Sequence, residues 1–218
     1  MTDRRRLSGS TDADRVHDCL LRQAKLAIEA RIDVLQIRER DLDAAILAKL
    51  VSAIVRLARG THSRVVVNDR LDVALACGAA GVHLPADSIA PARARAIAPP
   101  GFVVGRSVHS VREAVAAARD ADYLIAGTVW PSESKGEETP LLGLSGLSAV
   151  VRNAGVPVLA IGGVTVERVA AVRTAGASGV AAIGLFLGAP DERACRAAPL
   201  VETADAVRAM FDTMEPAS

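Results

Sequence analysis

The sequence predicts an α/β fold, and within that class a (β/α)8 TIM barrel forming a single domain over residues 1–218, with its first strand truncated or very short. Three observations predict it. Short β-branched runs alternate along the chain with longer Ala-, Leu- and Arg-rich stretches of helical period, the sign of β-α units on a parallel sheet. The 218 residues suit one barrel, a fold that often exceeds two hundred residues without splitting. No G-x-G-x-x-G fingerprint opens a helix, which counts against the alternative of an open doubly wound sheet.

In order, the helical period predicts a helix over 11–30, then the apolar run DVLQI predicts a strand over 33–37. A helix over 42–59 precedes the strand 64–67 (RVVV), and a helix over 70–77 precedes the strand 80–83 (AGVH). The helix 89–98 leads to the strand 102–105 (FVVG), and the helix 110–119 to the strand 122–126 (DYLIA). A helix over 143–154 is followed by the strand 157–160 (PVLA), and a helix over 165–175, with Thr165 as its N-cap, by the strand 179–183 (GVAAI). The last helix spans 191–213, and the tail EPAS frays. Eight helices thus face seven strands. The opening MTDR falls where the polar exit of a first strand would lie, so that strand is a stub or the start codon is placed late.

Half of the residues are hydrophobic but only three Phe, one Tyr and one Trp are aromatic, so the core is aliphatic. With 26 basic and 25 acidic side chains the net charge is +1, which excludes a chain-wide field that recruits nucleic acid or an anionic membrane. The cluster Arg4-Arg5-Arg6 has no interleaved aromatic and reads as a solvated loop. Cys19, Cys77 and Cys195 lie far apart without C-x-x-C spacing and read as buried thiols of a reducing cytosol. No apolar stretch reaches a membrane span and no signal-peptide core opens the chain, so the expectation is a cytoplasmic protein.

Active sites of such barrels lie where strands end. The run 33–37 exits into Gln36, Arg38 and Arg40; 64–67 into Asn68 and Asp69; 80–83 into His83, Asp87 and Ser88; 102–105 into Ser107 and His109; and 122–126 leads to Trp130, Ser132, Ser134 and Lys135. Gln36 and Arg38 are two apart and share one side of an extended segment. Their partner is either an internal carboxylate, Glu39 or Asp69, or a bound anion or heterocycle; the convergence of further donors on the same rim favours the ligand. In AIGGVTVERV, Gly162 and Gly163 precede a helix start, and Ile183-Gly184 follows the next strand. Free amides there make a phosphate cradle, the alternative being glycines needed only for tight turns. His109 stands at a strand exit within GRSVHSVREA, a position open to a catalytic or a structural role, whereas His17, His62 and His83 read as structural.

LQIRERD, VVVNDR, AAGVHLPADS, VVGRSVHS, ADYLIAGTVWPSESK, PVLAIGGVT and GASGVAAI, in this order, resemble the thiamine-phosphate synthase and TenI (thiazole tautomerase) superfamily over nearly the whole chain after residue 30. The resemblance implies a (β/α)8 barrel and one of two chemistries. In the synthase, which joins a hydroxymethylpyrimidine pyrophosphate to a thiazole phosphate with Mg2+, it implies that Gln36, Arg38 and Asn68 contact the pyrimidine pyrophosphate. Arg40 stands where that branch has lysine, and Ser132, Ser134 and Lys135 match its phosphate-binding loop. Asp69 matches its first metal ligand, the only metal ligand carried over if Mg2+ is used, and Ser88 stands where the second aspartate is expected. In the TenI-type branch, which lacks that aspartate, the resemblance implies a tautomerase that needs no metal or other cofactor, with His109 moving the proton. Ser88 and GRSVHS lead us to expect the tautomerase acting on a phosphorylated thiazole, with the synthase as the alternative and a non-catalytic phosphate-binding barrel as a third reading. Family members are often homo-oligomers; no nucleic-acid or membrane partner is implied.

Overall fold

A computed structural model describes residues 1–7, 13–132, 140–187 and 198–212. These fall into two compact units, one of Met1–His83 with Ile183–Asp205 and one of Leu84–Ala182 with Ala206–Ser218.

The first unit carries parallel strands β1 (Val34–Ile37), β2 (Arg64–Asn68) and β3 (Gly81–Leu84). Gln36 pairs in register with Val66 and Val66 with Gly81, while Asn68 pairs with His83. Leu35, Ile37, Val65, Val66, Val67 and Val82 are all buried, the near-continuous apolar pattern of parallel strands covered on both faces. Around them lie helices α1 (Arg4–Leu7), α2 (Ala13–Glu29), α3 (Ala44–Ala58) and α4 (Leu71–Ala76). In α3 the buried Leu47, Leu50, Val51 and Ile54 repeat at i, i+3, i+4 and i+7, one helical stripe against the strands.

Thr2 shows what becomes of the expected first strand. Its amide donates to the Gln36 carbonyl at 2.8 Å, and its hydroxyl accepts from the Arg38 amide at 2.9 Å. Residues 1–3 thus lie along β1 for a single rung before Asp3 opens α1, with its carbonyl accepting from the Arg6 and Leu7 amides. The solvated-loop reading of Arg4-Arg5-Arg6 is corrected: these residues form a helical turn. Arg4 pairs with Glu39 at 3.2 Å and with Asp41, and Arg5 reaches Asp41 at 2.6 Å. The sequence could not forecast this, because the carboxylates lie more than thirty residues away.

α2 closes on Arg31, a non-glycine residue at φ 56°, while Ile32 N–H returns to the Ala27 carbonyl at 3.0 Å. This left-handed position after the helix favours glycine. Arg31→Gly is therefore expected to stabilise the protein by about 0.5–1 kcal/mol, read as a melting temperature roughly 1–4 °C higher in calorimetry.

The second unit carries parallel strands β4 (Val103–Val108), β5 (Tyr123–Gly127) and β6 (Val158–Ile161), with β7 (Gly179–Ala181) paired to β6. Its helices are α5 (Pro91–Arg95), α6 (Val111–Ala117), α7 (Gly143–Ala154) and α8 (Val169–Thr174). Pro91, whose missing N–H costs nothing in the first turn, starts α5. Ser110 caps α6 by accepting from the Glu113 amide. The core is aliphatic, built from Val108, Leu124, Leu147, Val150, Val158 and Val172. Arg95 ties strand starts together, donating to the Phe102 carbonyl at 2.7 Å and to Asp122 at 2.7 Å, while Asp122 also accepts from the Val104 amide. The helix expected over 165–175 instead opens with a 3-10 turn, Val166–Arg168, before α8. Of the final helix expected over 191–213, the described part is α9 (Ala198–Asp212), and residues 191–197 and 213 lie outside the described residues.

The cysteine reading also needs correction. Cys77 is a free thiol, donating to the Ala48 carbonyl, but Cys19 is disulfide-bonded. Cys195 lies outside the described residues. No helix among the described residues is long and apolar enough to cross a membrane.

Candidate active site

In the first unit, parallel pairing sets the expected residues on neighbouring strand ends. Gln36 lies in β1, and β1 runs on into Arg38 and Arg40; Asn68 ends β2 and pairs with His83 of β3. Gln36 is buried, yet neither its amide nitrogen nor its carbonyl oxygen has a hydrogen-bond partner among the described residues. Such a group normally costs a few kcal/mol, so an orphaned carboxamide calls for a polar ligand.

Arg38 beside it is half-buried, and its guanidinium forms no hydrogen bond or ion pair among the described residues. Burial lowers its pKa, the neighbouring Arg40 charge adds to this, and Asp3 and Glu39 only partly compensate. The internal ion pair considered for Arg38 does not form with Glu39. That carboxylate is buried and already accepts from the Arg4 amide and guanidinium; burial raises its pKa, opposed by hydrogen bonds from Thr2 and Arg4. Arg40 is exposed and likewise unpaired among the described residues. A buried neutral amide in a segment that also carries two guanidiniums without hydrogen-bonded carboxylates among the described residues is suited to a heterocycle carrying an anionic group.

Asp69 follows Asn68 with φ 65°, and its amide donates to the His83 carbonyl at 2.9 Å. This left-handed turn exposes the carboxylate at the end of β2. Among the described residues no group of three or more His, Cys, Asp or Glu side chains is placed to hold a metal ion. Magnesium, however, is commonly held by one or two carboxylates with substrate phosphates and water completing its shell, and a single exposed Asp69 fits that donor set. Ile183 and Gly184 also belong to this unit, Gly184 opening a three-residue 3-10 turn to Phe186. An added Cβ at Gly184 would stand 3.4 Å from the Arg6 guanidinium.

In the second unit the loop after β3 folds as a turn, with Ser88 N–H donating to the Pro85 carbonyl at 3.0 Å. Arg106, within β4, donates to the carbonyls of Ala86 at 2.7 Å, Ser88 at 3.3 Å and Ile89 at 2.6 Å. This clamp fixes the segment bearing Asp87 and Ser88. Its only trace in the sequence is an arginine at an alternating position of a strand. Ser107 is half-buried next to it. His109 is exposed, and its Nδ1 contacts the Gly127 carbonyl. A carbonyl only accepts, so Nδ1 donates in this contact. Glu113 accepts from the His109 amide at 2.7 Å. Ser132 is half-exposed, and Ser134 and Lys135 lie outside the described residues.

Gly162 and Gly163 have φ values of 99° and 61°. A Cβ would meet Thr128 at 2.3 Å in the first and the Pro131 carbonyl at 2.5 Å in the second, so both positions require glycine. Arg168 donates to the Gly163 carbonyl at 2.6 Å and stacks on Trp130 with 5.1 Å to the ring centroid.

A family model described as thiamine monophosphate synthase matches residues 8–186. The thiamine-phosphate synthase of Methanoculleus marisnigri is 42% identical over 169 residues, 77% of this chain and 80% of its own. That of Roseiflexus castenholzii is 38% identical over 195 residues, 89% of this chain and 82% of its own. The solved thiamine phosphate pyrophosphorylase of Pyrococcus furiosus is 31% identical, with a TM-score of 0.72 over 86% of this chain and 90% of that one.

These relatives overturn the expectation of a TenI-type tautomerase, since they carry the synthase name across most of their length. That expectation leaned on Ser88, and one protein carboxylate suffices where phosphates complete the magnesium shell, so the missing aspartate does not exclude the metal. From residue 8 to residue 186, and at 38–42% identity to relatives it covers by four fifths or more, the chain belongs to the thiamine monophosphate synthase family.

Proposed function

We propose that the protein is a thiamine-phosphate synthase, a transferase of thiamine biosynthesis that joins a hydroxymethylpyrimidine pyrophosphate to a thiazole phosphate and releases pyrophosphate. The observation that carries this reading is the buried carboxamide of Gln36, unpartnered among the described residues, in the same segment as Arg38 and Arg40, whose guanidiniums hold no carboxylate there. A pyrimidine edge offers both the donor and the acceptor that a carboxamide seeks, and a pyrophosphate satisfies the guanidiniums. The names of the relatives agree. We take the fold to be of the (β/α)8 type, a reading supported by the parallel strand pairing within each unit.

In the proposed displacement, the thiazole nitrogen lone pair attacks the exocyclic methylene carbon of the pyrimidine. The bond from that carbon to the pyrophosphate oxygen breaks, and the product nitrogen becomes cationic without losing a proton. Gln36 and Asn68 orient the pyrimidine. Arg38 and Arg40 face the charge that gathers on the leaving pyrophosphate, where preorganised cations lower the barrier most. Magnesium, held on the protein side by Asp69, would neutralise pyrophosphate charge when bound. His109 has no proton to move here; its Nδ1 contact with the Gly127 carbonyl holds the ring in place. Gly162 and Gly163 of the second unit offer their amides to the thiazole phosphate, and Ser107 and Ser132 of the same unit contact substrate.

The test is a magnesium titration of product formation by the parent protein and by Asp69→Asn. The expected result is no turnover with a chelator and a magnesium requirement raised about tenfold or more in the variant, the scale of losing a charged ligand. Turnover indifferent to magnesium would reject the metal-assisted reading.

A further inference from the structure

We propose that Arg168, braced on the Trp130 ring, is a positioning residue that aims the glycine cradle at a phosphate ester. The proposal rests on the reading of Gly162 and Gly163 as the thiazole phosphate site.

Every trans peptide unit points its carbonyl and its N–H in opposite directions. The Gly162 carbonyl accepts from the Trp130 amide at 3.1 Å, so the Gly163 N–H points away from Trp130. The Gly163 carbonyl accepts from the Arg168 guanidinium at 2.6 Å, so the Val164 N–H points away from Arg168. Neither N–H donates to any acceptor among the described residues, although Val164 is buried. Consecutive main-chain amides without protein acceptors suit an anion.

The Gly162 carbonyl is fixed by main chain, but the Gly163 carbonyl depends on a side chain. A glycine at φ 61° has more backbone freedom than other residues, and the Arg168 contact selects the orientation that presents the Val164 N–H over the one that presents the oxygen, which repels phosphate. Arg168 sits on the exposed 3-10 turn, where an arginine samples many rotamers. The Trp130 face supplies the cation–π contact that holds its guanidinium in one of them. Arg168 thus acts on the phosphate through a peptide, and Trp130 acts through Arg168.

Calorimetric binding of a thiazole phosphate and of the corresponding thiazole alcohol to the full chain tests this, because the ratio of the two affinities isolates the phosphate. In Arg168→Ala the preference for the phosphate should fall about tenfold or more, as for loss of one charge-assisted hydrogen bond, with alcohol affinity unchanged. Arg168→Lys, which keeps a donor for the carbonyl, should restore part of it. If Gly163→Val erodes the preference and Arg168→Ala does not, the cradle stands and the role of Arg168 falls. If Arg168→Ala weakens both ligands alike with a lower melting temperature, its role is structural and the proposal is overturned. If the parent protein shows no preference for the phosphate, the cradle reading fails and takes the proposal with it.

Discussion

Arg38→Met is expected to weaken binding of the pyrimidine pyrophosphate about ten- to hundredfold while leaving the protein as stable as its parent or more so. The two effects have one cause. The Arg38 guanidinium is half-buried, and burial lowers its pKa because the charged form has lost water without gaining a hydrogen-bonded carboxylate among the described residues. Glu39, the carboxylate nearest in sequence, is committed to Arg4. A charge only partly compensated at a partly dry site costs stability in the free protein, and methionine, which keeps much of the aliphatic stem, removes that cost. The ligand's pyrophosphate offers what the fold withholds, so the same substitution removes a charge-assisted contact from the complex. Paired calorimetry and thermal melts check both halves. A lower melting temperature would mean that Arg38 holds the fold rather than the ligand.

Gly105→Ala is expected to cost about 2–3 kcal/mol, among the larger penalties for overpacking a core. A Cβ at Gly105 would lie 2.2 Å from the Tyr123 Cζ and 2.5 Å from its hydroxyl oxygen. Tyr123 is itself buried on the neighbouring strand, in register with Gly105, and its phenol pKa is pushed up by burial. A rigid ring held by its surroundings cannot swing aside as a long flexible side chain could, so strand β4 or the ring must shift. Thermal melting should fall roughly 4–12 °C for a chain of this size. An unchanged melting temperature would mean that the ring relocates at little cost.

Much of this was legible in the sequence because it depends on period and punctuation. The alternation of β-branched and helical segments placed all seven described strands, and Gly162-Gly163 after an apolar run marked a loop that tolerates no Cβ. Gln36 and Arg38 were readable as a pair needing a partner, since an apolar strand that turns polar at its end must satisfy those groups. What stayed hidden depends on which distant residues meet. Glu39 and Asp41 meet Arg4 across more than thirty residues, and Arg106 reaches back to Ala86, Ser88 and Ile89. Arg168 is equally opaque, an ordinary charge in VERV until it is seen against Trp130 and the Gly163 carbonyl. The choice of chemistry failed for a related reason. Ser88 is one position, and the inference from it treated the protein as the only source of oxygen for a metal that takes much of its shell from substrate.

The most direct test of the central claim is to incubate the purified protein with hydroxymethylpyrimidine pyrophosphate, thiazole phosphate and magnesium, and to quantify both products. The account predicts thiamine phosphate and pyrophosphate in equal amounts over many turnovers. No thiamine phosphate from a folded protein that binds both substrates would contradict it.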